Sequence, residues 1–479
     1  MLYLILFNTF GIPLSIILCF SISSTFRNSK LHFVQLYILQ YQYHHRQHHH
    51  PQGGESHCNG HFIEPVVGRG FFGLATTSSR CFSSDLMINH HAMHASRRLA
   101  TLQRHLTTTS SPLGEKVCVL GAGSFGSAIT RVLSQSPSTT HVNLFARRSS
   151  LSKEINTLRT NRQYIEATGE IFPPKVTAYS SLSDSITGAT MLVVVVPSNY
   201  LEPLLIDIQR LRHLLGENPI VVSLVKSLHY DSSSGRLKTI CEEITHHLGD
   251  STPVLALMGP NIYTEMIRDT FAEATIGYLP TDLDAAARTQ RCFTTDTFCT
   301  SCCEDRLGVE LAGGLKNVVS LGAGFCEGLG QGANARAAIC RLGLREMASL
   351  SERMGAKRST LYEESSGMGD LVLTCTVGRG RQLACSFVHT FVQEGPCLNL
   401  NDSLLRWERL EHEKMNGMKI PDYHNASVVH DYMLSSCGEN FMNEFPLFTT
   451  IYNIAYLGAP PSSILDALRM SASKSPADY

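Results

Sequence analysis

The sequence predicts an α/β domain with a mostly parallel, doubly wound sheet, followed by an all-α domain, with residues 1–114 as a leader outside both. Three observations carry this reading. A glycine-rich turn stands between a short apolar strand and an amphipathic helix; several continuous apolar runs end in turn residues; and near residue 303 strand–helix alternation gives way to long helical patterns. At 479 residues the chain is too long for one hydrophobic core, so two folded domains, 115–302 and 303–472, are expected.

Composition sets the leader apart as targeting or disordered sequence. Before residue 115 only Glu55, Glu64 and Asp85 are acidic, against eight Arg and Lys, and 12 of the 21 histidines fall there. Leu2 to Ile22 is an apolar stretch interrupted by Asn8, Thr9, Gly11 and Pro13, a signal peptide or membrane anchor without a basic start. The tract YQYHHRQHHHPQGG reads as a solvated low-complexity linker in preference to a metal site. In MHASRRLATLQRHLTTTSSP, Leu99, Leu102 and Leu106 recur at helical spacing beside Arg97, Arg98 and Arg104, with no acid. Transit peptides of plastids and mitochondria have that composition. Two explanations stand: a signal followed by a transit peptide, or a true start at Met87 or Met93; a cytoplasmic protein is the alternative if the leader is not translated.

The nucleotide half begins KVCVLGAGSFGSAITRVLSQ. An apolar strand, Lys116 to Leu120, runs into Gly121, Gly123 and Gly126, and then into a helix marked by Ala128, Ile129, Val132 and Leu133. This is the dinucleotide-binding pattern in its required setting. Gly121 permits the tight turn, Gly123 lets backbone approach a pyrophosphate, and Gly126 lets helix pack on strand. The helix N-terminus then offers free N–H groups to phosphate. The next strand, HVNLFARR, ends in Arg147 and Arg148, where an acid that holds the ribose hydroxyls of NAD is usual. Either the arginines accept the 2′-phosphate of NADP, or they are solvated at a strand end.

Further buried strands are read in MLVVVVPSNY, IVVSLVKSL and PVLALMGPN. Ligands bind outside the carboxyl ends of such strands, so Pro197, Lys226 and Asn261 should converge on one crevice. Lys226 alone also fits a solvated strand terminus. In the helical half, Ala337, Cys340, Leu344 and Met347 mark one apolar face. VELAGGLKNVV surrounds Lys316 with apolar residues and adds two glycines that weaken a helix. Pattern alone leaves a snorkelling lysine and a functional one equally open. An α/β nucleotide domain followed by helices suggests a dehydrogenase with its substrate between them.

The blocks LGAGSFGSA, VVPSNY, SLVKSL, LMGPNIYTEM, FAEATIGY, VELAGGLKNVVSLGAGFCEGLG, RLGLREM and GMGDLVLTCTVGRGR resemble, in order, the NAD(P)-dependent glycerol-3-phosphate dehydrogenase family. EFPLFTTIYNIAYLGAPPSSIL is similar to that family's closing helices, so the likeness spans Lys116 to Leu468. It implies reversible hydride transfer between NAD or NADP and dihydroxyacetone phosphate or sn-glycerol 3-phosphate, a step joining carbohydrate to glycerolipid metabolism, in a homodimer. By position, Lys316 corresponds to the catalytic lysine, with Asn317 beside it, and Lys226 to the second active-site lysine. Asp370 and Thr374 correspond to the family's aspartate and threonine, and Arg379 to the arginine that binds substrate phosphate near the cofactor. The cofactor side is expected to comprise Gly121, Gly123, Ser124, Phe125, Gly126, Arg147, Tyr200, Tyr263 and Arg379. The substrate side is expected to comprise Lys226, Asn261, Lys316, Asn317, Asp370, Arg379 and Gly380.

Chemistry agrees with the correspondence. Hydride delivery to a ketone leaves charge on its oxygen, and a lysine with a lowered pKa supplies both proton and positive field. No metal is required. Gly313 and Gly314 are expected to clear room for substrate and nicotinamide. The chain departs from the family's pattern at Gly380, where Asn usually follows Arg, and at Pro421, near a usual glutamine. Gly332-Ala333-Asn334 stands for the usual Gly-Asp-Asn turn. The 15 cysteines are odd in number and scattered, as suits reduced thiols, and the C-x-x-C of FCTSCCED has no second pair at zinc spacing. A net charge of −1, with no basic run among aromatics, excludes nucleic acid as an expected partner. Two rival readings remain: a hydroxy-acid or sugar-acid dehydrogenase of the same architecture, against which the GMGDL…GRG segment argues, and a membrane-tethered nucleotide-binding protein without catalysis.

Overall fold

The computed structural model describes residues 2–7, 15–26, 29–40 and 114–473. Within the leader, Leu2–Phe7, Ser15–Phe26 and Ser29–Gln40 pair as a three-stranded antiparallel sheet with Ser15–Phe26 in the middle. The apolar stretch Leu2 to Ile22 is thus divided between two strands. Their Ile, Phe, Tyr and Val residues favour extended backbone. No helix among the described residues is long and apolar enough to cross a membrane. The histidine-rich tract and Met93 to Pro112 lie outside the described residues.

In the body, β1 (Glu115–Leu120), β2 (Thr139–Phe145), β3 (Val176–Tyr179), β4 (Met191–Val194), β5 (Ile220–Ser223), β6 (Val254–Met258), β7 (Ala272–Gly277) and β8 (Phe298–Cys303) form one sheet. Their order is β8-β7-β6-β5-β4-β1-β2-β3. Strands β1 to β6 run parallel, β7 pairs antiparallel with β6, and β8 runs parallel to β7. Alternate residues feed two cores. Val117, Val119, Val193, Val222 and Leu257 enter one; Cys118, Leu120, Leu192, Val221 and Ala256 enter the other. Because both faces are covered, the strands are continuous apolar runs. Strand order reverses between β1 and β4, and the crevice beyond their carboxyl ends is where such sheets hold ligands. On β8, Cys299 is exposed while Cys302 and Cys303 are half-buried, and three-residue spacing in a strand sends Cys299 and Cys302 to opposite faces.

Helix α1 (Ser124–Gln135) follows β1. The helical half is built around α2 (Arg306–Gly328), buried continuously from Gly308 to Cys326. It starts where the Asp305 carboxylate accepts the Gly308 N–H at 3.0 Å. Around it pack α3 (Ala333–Arg353), α4 (Asp370–Val377), α5 (Arg379–Glu394), α6 (Leu400–Met415), α7 (Pro421–Cys437) and α8 (Pro446–Tyr456). A helix enclosed on all sides is apolar all round, which is why Lys316 stood out in the sequence. The apolar face expected on α3 is only half right. Leu344 and Met347 are buried, but Ala337 is exposed and Cys340 half-buried, because the first turns of α3 border an open groove with Tyr362 and Met368. Glu346 on α3 accepts the N–H groups of Leu447 and Phe448 at 3.0 and 2.9 Å, capping the start of α8 with charge.

Candidate active site

The crevice begins at the turn after β1. Gly121 has φ of 126°, a conformation that side chains disfavour. A Cβ at Gly126 would lie 1.9 Å from the Gly121 carbonyl oxygen, so the helix can meet the strand only with glycine there. Gly123, by contrast, has open space where its Cβ would be. Ser124 opens α1, and Phe125 packs partly against the sheet core. The residues therefore fit a dinucleotide: tight turn, close packing and an uncrowded face above the helix N-terminus. At the flanking strand ends the Arg147 guanidinium lies 5.3 Å from the Tyr200 ring centroid, and both residues are exposed. Tyr263, just beyond β6, stands edge-on to Tyr164 with ring centroids 6.3 Å apart. Asn261 donates to the Glu273 carbonyl at 2.9 Å, while its own side-chain oxygen is buried without a partner, an acceptor left for a ligand.

Deeper in the cleft four residues from three segments meet. Lys226 lies just past β5, Lys316 at mid-α2, and Asp370 and Thr374 four apart on one face of α4. Lys316 Nζ is 2.5 Å from Asp370 Oδ1, and Lys226 Nζ is 2.7 Å from Asp370 Oδ2. Lys316 also donates to Thr374 Oγ1 at 2.8 Å, and Lys226 to the Gly259 carbonyl at 3.0 Å. One carboxylate thus bridges two ammoniums. A wide π-helical turn, Ser365–Gly369, precedes α4 and delivers Asp370 to this point.

Burial here is extreme for charged groups: Lys316 is 4% exposed and Asp370 1%. Burial lowers the pKa of Lys316 to about 8; Asp370 opposes the shift and Lys226 adds to it. For Asp370, burial raises the pKa, but the two ammoniums outweigh it and hold the carboxyl below its ordinary value. Lys316 thus has a lowered pKa beside one oxygen of this carboxylate, and Lys226 is a second cation on the other oxygen.

Models of the NAD-dependent glycerol-3-phosphate dehydrogenase N-terminus and C-terminus match residues 116–284 and 305–466. The cytoplasmic NAD(+) glycerol-3-phosphate dehydrogenase of Rattus norvegicus is 33% identical over 368 residues, 74% of this chain and 98% of the relative. The chain belongs to the NAD-dependent glycerol-3-phosphate dehydrogenase family. It is therefore an oxidoreductase acting on CH–OH groups, in a family that uses NAD(H). Among solved structures, the glycerol-3-phosphate dehydrogenase of Plasmodium falciparum is similar with a TM-score of 0.64 and 28% identity, covering 74% of this chain and 95% of that one. The glycerol-3-phosphate dehydrogenase of Saccharomyces cerevisiae gives 0.63 and 28%, covering 74% and 99%.

Within this dehydrogenase fold the structure brings together Lys226, Lys316, Asp370 and Thr374, and buries Asn317 beside them. It holds Arg379 apart. That residue is exposed at the start of α5, its guanidinium against the Met418 sulfur, at the rim of the cleft. Contrary to the expectation from sequence, Gly313 and Gly314 face protein side chains and clear no room for ligand. A Cβ at Gly313 would press on Met258 Sδ at 3.0 Å, and one at Gly314 on Leu228 Cγ at 2.5 Å. They are packing glycines that let the β5 and β6 ends lie on α2 and so carry the Lys226 stem to Lys316. Pro421 is explained by its place in the first turn of α7, where no N–H is needed. Lys419 turns to Glu411 at 3.0 Å. Sequence reasoning missed Ser320 and Asp422, which lie under Lys316; a serine one turn after the lysine was the sole local sign.

Asp370→Asn should leave two neighbouring ammoniums without a counter-charge. Breaking a buried pair from one side costs about 3–5 kcal/mol, so denaturant unfolding at neutral pH should show a loss of that order, and Asp370→Glu a smaller one.

Proposed function

We propose that the chain reversibly reduces dihydroxyacetone phosphate to sn-glycerol 3-phosphate, with Lys316 as the general acid, and that it thereby joins carbohydrate to glycerolipid metabolism. The observation that carries this reading is the buried Lys316–Asp370–Lys226 bridge at the carboxyl edge of a dinucleotide-type sheet. Gly121, Gly123, Ser124 and Gly126, with Asn261 and Tyr263 in the same crevice, would hold NAD(H), which would supply or accept the hydride. Lys316 Nζ gives its proton to the carbonyl oxygen as charge develops there, and Thr374 and Asp370 fix its direction. Lys226, paired with the other oxygen of Asp370, stabilises the oxyanion. In the reverse direction, neutral Lys316 takes the hydroxyl proton. Arg379 and the free N–H groups at the start of α5 suit the substrate phosphate.

NADH oxidation should depend on dihydroxyacetone phosphate, with the full chain and with residues 113–479; no turnover with NADH or NADPH would end this reading. Lys316→Ala should lose about two to four orders of magnitude in kcat. Ketone reduction needs the Lys316 ammonium, so its rate should fall as pH rises through about 8, while glycerol 3-phosphate oxidation should rise over the same range.

Arg147 and Arg148 at the end of β2, where no acid stands, support acceptance of NADPH beside NADH. Arg147→Asp should lower the ratio of NADPH to NADH turnover in the same assay. The open groove lined by Arg336, Ala337, Cys340, Tyr362, Met368 and Val372 supports a homodimer, which sedimentation at assay concentration would reveal. Residues 1–115 precede the matched region, and their acid-poor, Arg-bearing composition supports an organelle leader. A reporter fused to residues 1–114 should leave the cytoplasm; a diffuse signal from it and from residues 93–114 would favour the cytoplasmic alternative.

A further inference from the structure

Gly380 follows Arg379 in the first turn of α5, and no side chain fits there. A Cβ at that position would lie 1.8 Å from Asp422 Oδ1, 2.3 Å from its Cγ and 2.9 Å from its Cβ. The volume in which a side chain at 380 would begin is therefore occupied by a carboxyl group that arrives from the first turn of α7. Asp422 is 5% exposed, and its Oδ1 accepts a hydrogen bond from Ser320 Oγ at 2.8 Å. Ser320 stands one turn beyond Lys316 on α2, and its own hydroxyl lies between the Asn317 carbonyl and Asp422.

The surroundings decide what this carboxyl can do. Lys316 from α2, Arg379 from α5 and the Cys375 thiol from α4 are the ionisable groups that interact with it. Among the described residues it forms no ion pair within salt-bridge distance, so it is not spent on a cation as Asp370 is. Burial pushes its pKa up, against the pull of Ser320, Lys316 and Arg379. A carboxyl of this kind takes up a proton readily when an anion arrives beside it, and then donates a hydrogen bond.

We infer that Gly380 and Asp422 are a matched pair, in which the Asp422 carboxyl replaces a side chain at 380 and positions the substrate's phosphate-bearing end between Lys316 and Arg379. This rests on the dihydroxyacetone phosphate reading above. Asp422 acts on binding and orientation; the proton passed to the carbonyl oxygen stays with Lys316. The departure from the family's Arg-Asn pattern is then an exchange of one polar group for another delivered from a different helix.

The test is a two-site cycle read in KM, kcat and thermal unfolding, with dihydroxyacetone phosphate and NADH. Wild-type turnover reports on the function itself; its absence would remove both the reading and this inference, whereas the variants bear on the inference alone. Asp422→Ala should raise KM about tenfold or more, the loss expected for a hydrogen bond to a charged group, with a smaller effect on kcat. Gly380→Asn alone should raise KM and lower the unfolding temperature, because its side chain meets the carboxyl. The double variant Gly380→Asn/Asp422→Ala should recover both KM and unfolding temperature relative to Gly380→Asn. Recovery of the unfolding temperature without recovery of KM would show a packing pair only and overturn the inference, as would no recovery of either. Should Asp422→Ala fail to fold, Asp422→Asn serves, since it keeps shape and a donor. It should raise KM less than Asp422→Leu does, and the opposite order would overturn the assignment.

Discussion

The site depends on one carboxylate shared between two lysines. Asp370 is buried so completely that its charge would be prohibitive alone, and Lys316 would lose its charge in the same surroundings. Each makes the other tolerable, and Lys226 adds a second cation on the same carboxylate. Because Lys226 comes from the sheet and Lys316 and Asp370 from the helices, this electrostatic contact also fixes how the two layers meet. Much of the local chain serves it: the wide turn before Asp370, the four-residue step to Thr374, and the two packing glycines that bring the β5 end onto α2.

What the sequence made legible follows from range. The glycine turn after β1 and the apolar strands could be read because their causes lie within a few residues: a tight turn, a close helix, a period of two. Lys316 could be singled out because a charge inside an all-apolar helix violates the pattern around it. Asp370 and Thr374 were reached only through the family resemblance of the GMGDLVLTC segment, not through any local pattern. Asp422 could not be found, since its partner Ser320 is 102 positions away and a serine in an apolar helix does not say which distant residue it meets. Gly313 and Gly314 were misread for the same reason. A glycine announces that something comes close, and only the fold says that the close neighbour is Met258 or Leu228, not a ligand. On α3, periodicity marked Ala337 and Cys340 as core, yet the helix projects past its neighbours there, and where a helix outruns its packing is invisible to spacing.

The crevice is graded in polarity along its length. At the strand ends Arg147 and Tyr200 are solvated, so charge there is screened and cheap to rearrange. Toward α2 water is excluded, and the same charges act at close range with little screening. In the proposed mechanism, recognition of the outer part of a cofactor and chemistry on a carbonyl therefore fall in different dielectric settings.

Helix α2 belongs both to the helical core and to one of the two sheet cores. Val309 near its start is packed into the sheet side, whereas Leu311 through Cys326 belong to the helical core. A single rigid rod embedded in two cores leaves neither with an independent boundary. Heating or denaturant should therefore melt sheet and helices of the body in one cooperative transition, and a fragment ending before Arg306 would expose the wall that α2 normally covers.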